Sequence, residues 1–90
     1  MRESKKKTKK YDLVDPDGKI ISFGAKGMSD YTIHKDSARK DRYINRHEKN
    51  EKKFWNDDVP ISPSYLSRFI LWEKPDLNQA ILNVEHKRKI

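Results

Sequence analysis

Apolar positions along the chain fall into two blocks, residues 11–33 and 54–84, with lysine- and arginine-rich stretches before, between and after them. The first block holds Tyr11-Asp12-Leu13-Val14 and Lys19-Ile20-Ile21-Ser22-Phe23, rich in the β-branched and aromatic residues that suit a pleated surface. Between them stands Asp15-Pro16-Asp17-Gly18, where Pro16 presets φ, Asp17 bonds locally and Gly18 takes a positive φ. The pattern predicts a β-hairpin over 11–23. Two strands alone are not stable in water, so the hairpin needs another strand or a helix, and Tyr31-Thr32-Ile33-His34 reads as a candidate third strand. Gly24 and Gly27 read as turn glycines between them.

Asp36 is placed to cap a helix over roughly 37–52. Its apolar stripe is thin (Ala38, Tyr43, Ile44, His47), so it predicts a helix held by one narrow face. After Phe54-Trp55 and a polar loop, Ser62 and Pro63 supply an N-cap and N1 proline for a second helix. Tyr65, Leu66, Phe69, Ile70 and Trp72 give it a broad apolar face, and Pro75 ends it. Asp76-Leu77-Asn78-Gln79 resembles a capping box, and Leu77, Ala80, Ile81 and Val84 form the inner face of a last helix. The fold class expected is α+β: a small single domain over 11–90, an N-terminal β-hairpin plus about three helices, preceded by a basic arm at 1–10.

Charge sharpens this picture. Charged residues make up 39% of the 90-residue chain and apolar ones 33%, so folding depends on the apolar residues clustering, as they do here. The net charge of +7 is unevenly placed. Residues 1–10 set Arg2, Lys5, Lys6, Lys7, Lys9 and Lys10 against Glu3, and Arg39, Lys40, Arg42, Arg46 and Lys49 crowd the middle helix, whereas both apolar blocks are net acidic. A lysine block of this kind is disordered when alone in water. It reads as a phosphate-binding arm, as an arm inserted into an acidic groove of a neighbouring subunit, or as a solvated tail, and nuclear localisation overlaps all three. The middle helix intersperses Asp41, Glu48 and Glu51 among its cations, which favours a protein-facing or solvated surface over a phosphate track. Trp55, Tyr65, Phe69 and Trp72 read mainly as the protein's own core, with an interface cluster as the rival reading.

Catalysis is not expected. His34, His47 and His86 have no cysteine partner and no metal-ligand spacing, Gly24 and Gly27 lack the rest of a phosphate loop, and there is no nucleophile elbow. No cofactor, metal or small-molecule substrate is implied. No stretch reaches the roughly 18 apolar residues of a membrane span, and the basic N-terminus lacks the apolar run of a secretory signal. The residues nominated for partner binding are Lys5, Lys6, Lys7, Lys9, Lys10, Arg39, Arg42, Arg46 and Lys49.

A longer string adds a resemblance. Gly24-Ala25-Lys26-Gly27-Met28-Ser29-Asp30-Tyr31-Thr32-Ile33-His34-Lys35-Asp36 runs into Arg39-Lys40-Asp41-Arg42-Tyr43-Ile44-Asn45-Arg46-His47, with Trp55 and Ser64-Tyr65-Leu66-Ser67-Arg68-Phe69-Ile70-Leu71-Trp72-Glu73-Lys74-Pro75 after it. Over about residues 11–84 this resembles a family of short, basic proteins of nucleocytoplasmic large DNA viruses, the giant viruses. The resemblance implies a structural component of the virion, a minor capsid or cement protein, found in the virion and in host cytoplasm during assembly. It implies the major capsid protein and other minor capsid proteins as partners, and it carries over no catalytic residue. The alternative partner is nucleic acid, bound without sequence preference in the viral core.

Overall fold

The computed structural model describes residues 1–89; Ile90, the last residue of the expected domain, lies outside the described residues. The hairpin forms where its pattern predicts it. β2 (Lys9–Val14) and β3 (Ile20–Ala25) run antiparallel, with Tyr11 opposite Phe23 and Leu13 opposite Ile21. Asp15 builds the turn: its Oδ1 accepts from the backbone N–H groups of Asp17 (3.0 Å) and Lys19 (2.8 Å), while Gly18 takes φ +84° and donates to the Asp15 carbonyl.

The third strand is not Tyr31–His34. It comes from the segment expected to be a free arm: β1 (Arg2–Glu3) pairs antiparallel with β2, giving the sheet order β1-β2-β3. Lysines alone cannot order such a segment, but the exposed edge of β2 offers its backbone a partner. Ser4 is buried and donates to the Lys10 carbonyl (3.0 Å), and Arg2 lies across from Asp12, whose carboxylate also accepts from Ser22 Oγ at 2.6 Å. The Ser22 bond, a second one from the Ser4 side chain and the Arg2 charge hold the Asp12 carboxyl below its ordinary pKa.

Tyr31–His34 is instead a single helical turn, α1. Asp30 decides this. Its carboxylate is buried, pairs with Lys10 Nζ (2.5 Å) and caps the turn by accepting from the Thr32 N–H (2.9 Å). Lys35, at φ +55°, ends it. The remaining helices start at the expected caps. α2 (Ser37–Glu51) begins at Asp36 and continues into a 3-10 turn over Lys52–Phe54. α3 (Pro63–Leu66) begins at Ser62 and runs into a π-helical turn over Ser67–Leu71, and α4 (Leu77–Arg88) begins at Asp76.

The core sits between the sheet and the last two helices. Leu13 and Phe23 meet Tyr65, Leu66, Ile70, Leu71 and Val84, all buried. Side chains of this size contribute roughly 1.5–3 kcal/mol each when fully buried. The architecture is the expected α+β single domain. Its last helix is tied down by charge as well: Arg88 lies over the Tyr65 ring and donates to the Asn56 and Val59 carbonyls, and Tyr65 donates to Asp57 at 2.6 Å. Part of the C-terminal basic cluster is therefore used internally. No helix among the described residues is long and apolar enough to cross a membrane.

Candidate functional site: a basic cleft beside the second helix

α2 is attached through few side chains, and Tyr43 is its one buried residue. The attachment is a row of rings. Tyr43 stacks flat on Trp72, with centroids 4.2 Å apart and planes 2° from parallel; His47 lies 4.4 Å from Tyr43, and His34 lies 5.4 Å from Trp72. Aromatic pairs of this geometry contribute about 0.5–1.5 kcal/mol each beyond their burial. Burial, reinforced by the nearby Glu51 carboxylate, pushes the Tyr43 hydroxyl up to about 12. At the flank of the row, Lys40 Nζ donates to the Glu73 carbonyl (2.8 Å). The π-helical turn ends at Leu71, so Trp72 emerges beneath α2.

This mode of attachment leaves a cleft of about 480 Å³ between α2, the ends of β2 and β3, and the α3 segment. Arg39, Arg42 and Arg46 line its α2 wall. Their i, i+3, i+7 spacing places them on one helix face. All three are exposed, and among the described residues none takes part in an ion pair. Lys9 and Lys10 line the cleft from the sheet, but Lys10 is already committed to Asp30. The cleft thus gathers five of the residues nominated from sequence. It does not gather the others: Lys5, Lys6 and Lys7 are exposed at the β1–β2 turn, and Lys49 is exposed on α2 outside the cleft.

One end of the cleft holds a network that sequence reading did not find. Glu51 pairs with His47 Nδ1 through Oε2 and accepts from Ser64 Oγ through Oε1 (2.7 Å), while Trp55 Nε1 donates to Ser64 Oγ (2.9 Å). The His47–Glu51 spacing of i, i+4 is legible in the sequence; the arrival of Ser64 from another element is not. The order of bonds matters chemically. In a hydrolytic triad the hydroxyl gives its proton to the imidazole. Here Ser64 donates its hydrogen bond to the carboxylate instead, and the network ties α2 to α3. Among the described residues no group of three or more histidine, aspartate or glutamate side chains is placed to hold a metal ion.

A family model described as "Family of unknown function (DUF5754)" matches residues 1–47, from β1 through most of α2, and so includes Arg39, Arg42 and Arg46. No curated protein and no solved structure matches the chain.

Proposed function

We propose that this chain, which belongs to the DUF5754 family of unknown function, is a non-catalytic structural protein that anchors the acidic surface of a larger partner in its basic cleft. The setting we propose is the one implied by the sequence resemblance: a minor capsid or cement protein of a virus particle, tethering the major capsid protein and other minor capsid proteins. The observation that carries the reading is the row of Arg39, Arg42 and Arg46, exposed and, among the described residues, without ion-pair partners on one wall of a cleft. Guanidinium groups match carboxylates in planar, bidentate fashion. Lys5, Lys6 and Lys7, on the exposed β1–β2 turn, offer a second point of electrostatic attachment away from the cleft, which suits a tether.

The test is incorporation. Replacing Arg39, Arg42 and Arg46 together by alanine changes exposed residues, so stability stays within about 0.5 kcal/mol of the original. Affinity for isolated capsid subunits, measured by titration calorimetry, falls roughly 10- to 100-fold, and the variant is lost from purified particles. Incorporation at the original level overturns the proposal. So does sub-micromolar binding to generic duplex DNA near physiological salt with a steep salt slope, which assigns the same cations to nucleic acid.

A further inference from the structure

We infer that the cleft receives a single extended strand of its partner in which carboxylate side chains alternate with aliphatic ones. This rests on the reading of the cleft as an acid-binding site and adds the form of what enters it. Three observations lead there. First, the cations form a line. Arg39 and Arg46 are seven residues apart on α2, a rise of about 10 Å. An extended peptide advances about 3.3 Å per residue, and its side chains return to the same side every ~6.7 Å. That repeat comes close to the rise of about 6 Å from Arg42 to Arg46, so carboxylates at alternate positions stay on the arginine side, whereas consecutive ones send every second charge away from it.

Second, the cleft also offers apolar surface, beside Lys9 and Lys10. Gly24, Ala25, Met28 and Leu71 line it, and Met28 is a large apolar side chain left 66% exposed there. The alternate side chains of an extended strand need such a surface. Third, the carboxylates of the cleft are already engaged. Glu51 is engaged by His47 and Ser64, and Asp30 by Lys10 and Thr32, so the unpaired charge offered to an occupant is positive. The two large rings are engaged as well, Tyr43 by Trp72 and His47, and Trp72 by Tyr43 and His34. Single-strand nucleic-acid sites depend on ring faces open to bases. This cleft favours a peptide.

The experiment uses the full chain and fluorescence anisotropy with labelled peptides flanked by Gly-Ser: an alternating core, Glu-Leu-Glu-Leu-Glu, and its block isomer, Glu-Glu-Glu-Leu-Leu, of equal charge. Single-stranded oligothymidylate is the third probe. The alternating peptide is expected to bind about tenfold tighter than the isomer, a difference worth two partly buried aliphatic side chains. Arg42→Ala weakens both peptides, and Met28→Asp, at an exposed position that the fold does not need, abolishes the preference. Equal binding of the two isomers overturns the strand register while leaving the charge-based reading intact. Tighter binding of oligothymidylate than of either peptide overturns the inference and the acidic-partner reading together. Failure of every probe to bind overturns the inference, and the capsid titration then decides the parent reading separately.

Discussion

The two sides of this molecule treat charge in opposite ways. In the body formed by the sheet with α3 and α4, four cations are matched, Arg2 with Asp12, Lys10 with Asp30, Arg68 with Glu73 and Lys87 with Asp57, while Lys5, Lys6 and Lys7 stand exposed on the β1–β2 turn. On α2 the paired cations lie at the flanks, as Lys40 with Glu73 and Lys52, just past the helix, with Glu48, while on the cleft face Arg39, Arg42 and Arg46 have no counter-ions among the described residues. The body buries its apolar residues around Phe23 and Tyr65; α2 buries Tyr43 alone. A small domain has little stability to spare. Here the ion pairs that hold the body and the arginines that α2 turns to the cleft sit on different elements, so each set can be altered without the other.

The largest effect that would separate the two sides lies at Asp30. It is 2% exposed, pairs with Lys10 and caps α1, so it joins the sheet to the segment leading into α2. Asp30→Ala leaves the Lys10 ammonium largely buried without a partner, a change that costs about 3–5 kcal/mol where it has been measured in buried pairs. In a domain with roughly 5–10 kcal/mol in all, urea denaturation should show much of the stability gone. The arginine variants should denature like the original chain. Equal loss from both would mean that the cleft cations serve the fold after all.

The same contrast explains how much the sequence disclosed. Local signals were legible: the Asp15–Gly18 turn, the caps at Asp36, Ser62 and Asp76, and the inner face of α4 all depend on neighbouring residues and all form, although in the turn the carboxylate that bonds the backbone is that of Asp15 and not of Asp17. What failed depends on distant partners. Residues 1–10 looked unstructured because nothing nearby pairs with them; Arg2–Glu3 pair with the edge of β2, and Lys9 and Lys10 belong to β2 itself. Tyr31–His34 looked like a strand because the deciding ion pair reaches back twenty residues to Lys10. The cleft was half legible, since its arginines were nominated but the aromatic row and the Ser64–Glu51 bond that shape it were not. Gly24 belongs to the illegible part. It read as a simple turn glycine, yet a Cβ there would lie 2.9 Å from Leu71 Cδ1, and its φ is +79°. Gly24→Ala therefore meets strain and overlap, costing about 1–3 kcal/mol by thermal denaturation, whereas Gly27→Ala, at φ +88° in open space, carries only the backbone penalty of about 1 kcal/mol.

The smallest and sharpest test compares two tyrosines, one from each side. Both hydroxyls are pushed up to about 12, Tyr65 by burial and its bond to Asp57, Tyr43 by burial and Glu51. An unfolded tyrosine titrates near 10.0, so each contributes stability that is complete below pH 10 and lost as pH rises toward 12. Tyr65 also donates the bond that chiefly holds the Asp57 carboxyl below its ordinary value of 3.8. That carboxyl contributes stability present above pH 3.8 and lost as pH falls through its lower folded value. Tyr65→Phe keeps the ring but removes the bond, costing about 1–2 kcal/mol at neutral pH and flattening both the acid and the alkaline limbs of the stability profile. The Tyr43 hydroxyl makes no hydrogen bond among the described residues, and its ring stack survives the change to phenylalanine. Tyr43→Phe should shift neutral stability by less than about 0.5 kcal/mol and remove only its own share of the alkaline loss. Urea midpoints taken from pH 3 to 11 would read all of this at once. An acid limb altered by Tyr43→Phe would join α2 to the Asp57 lock, and the division between a body that holds its charges and a helix that offers them would not stand.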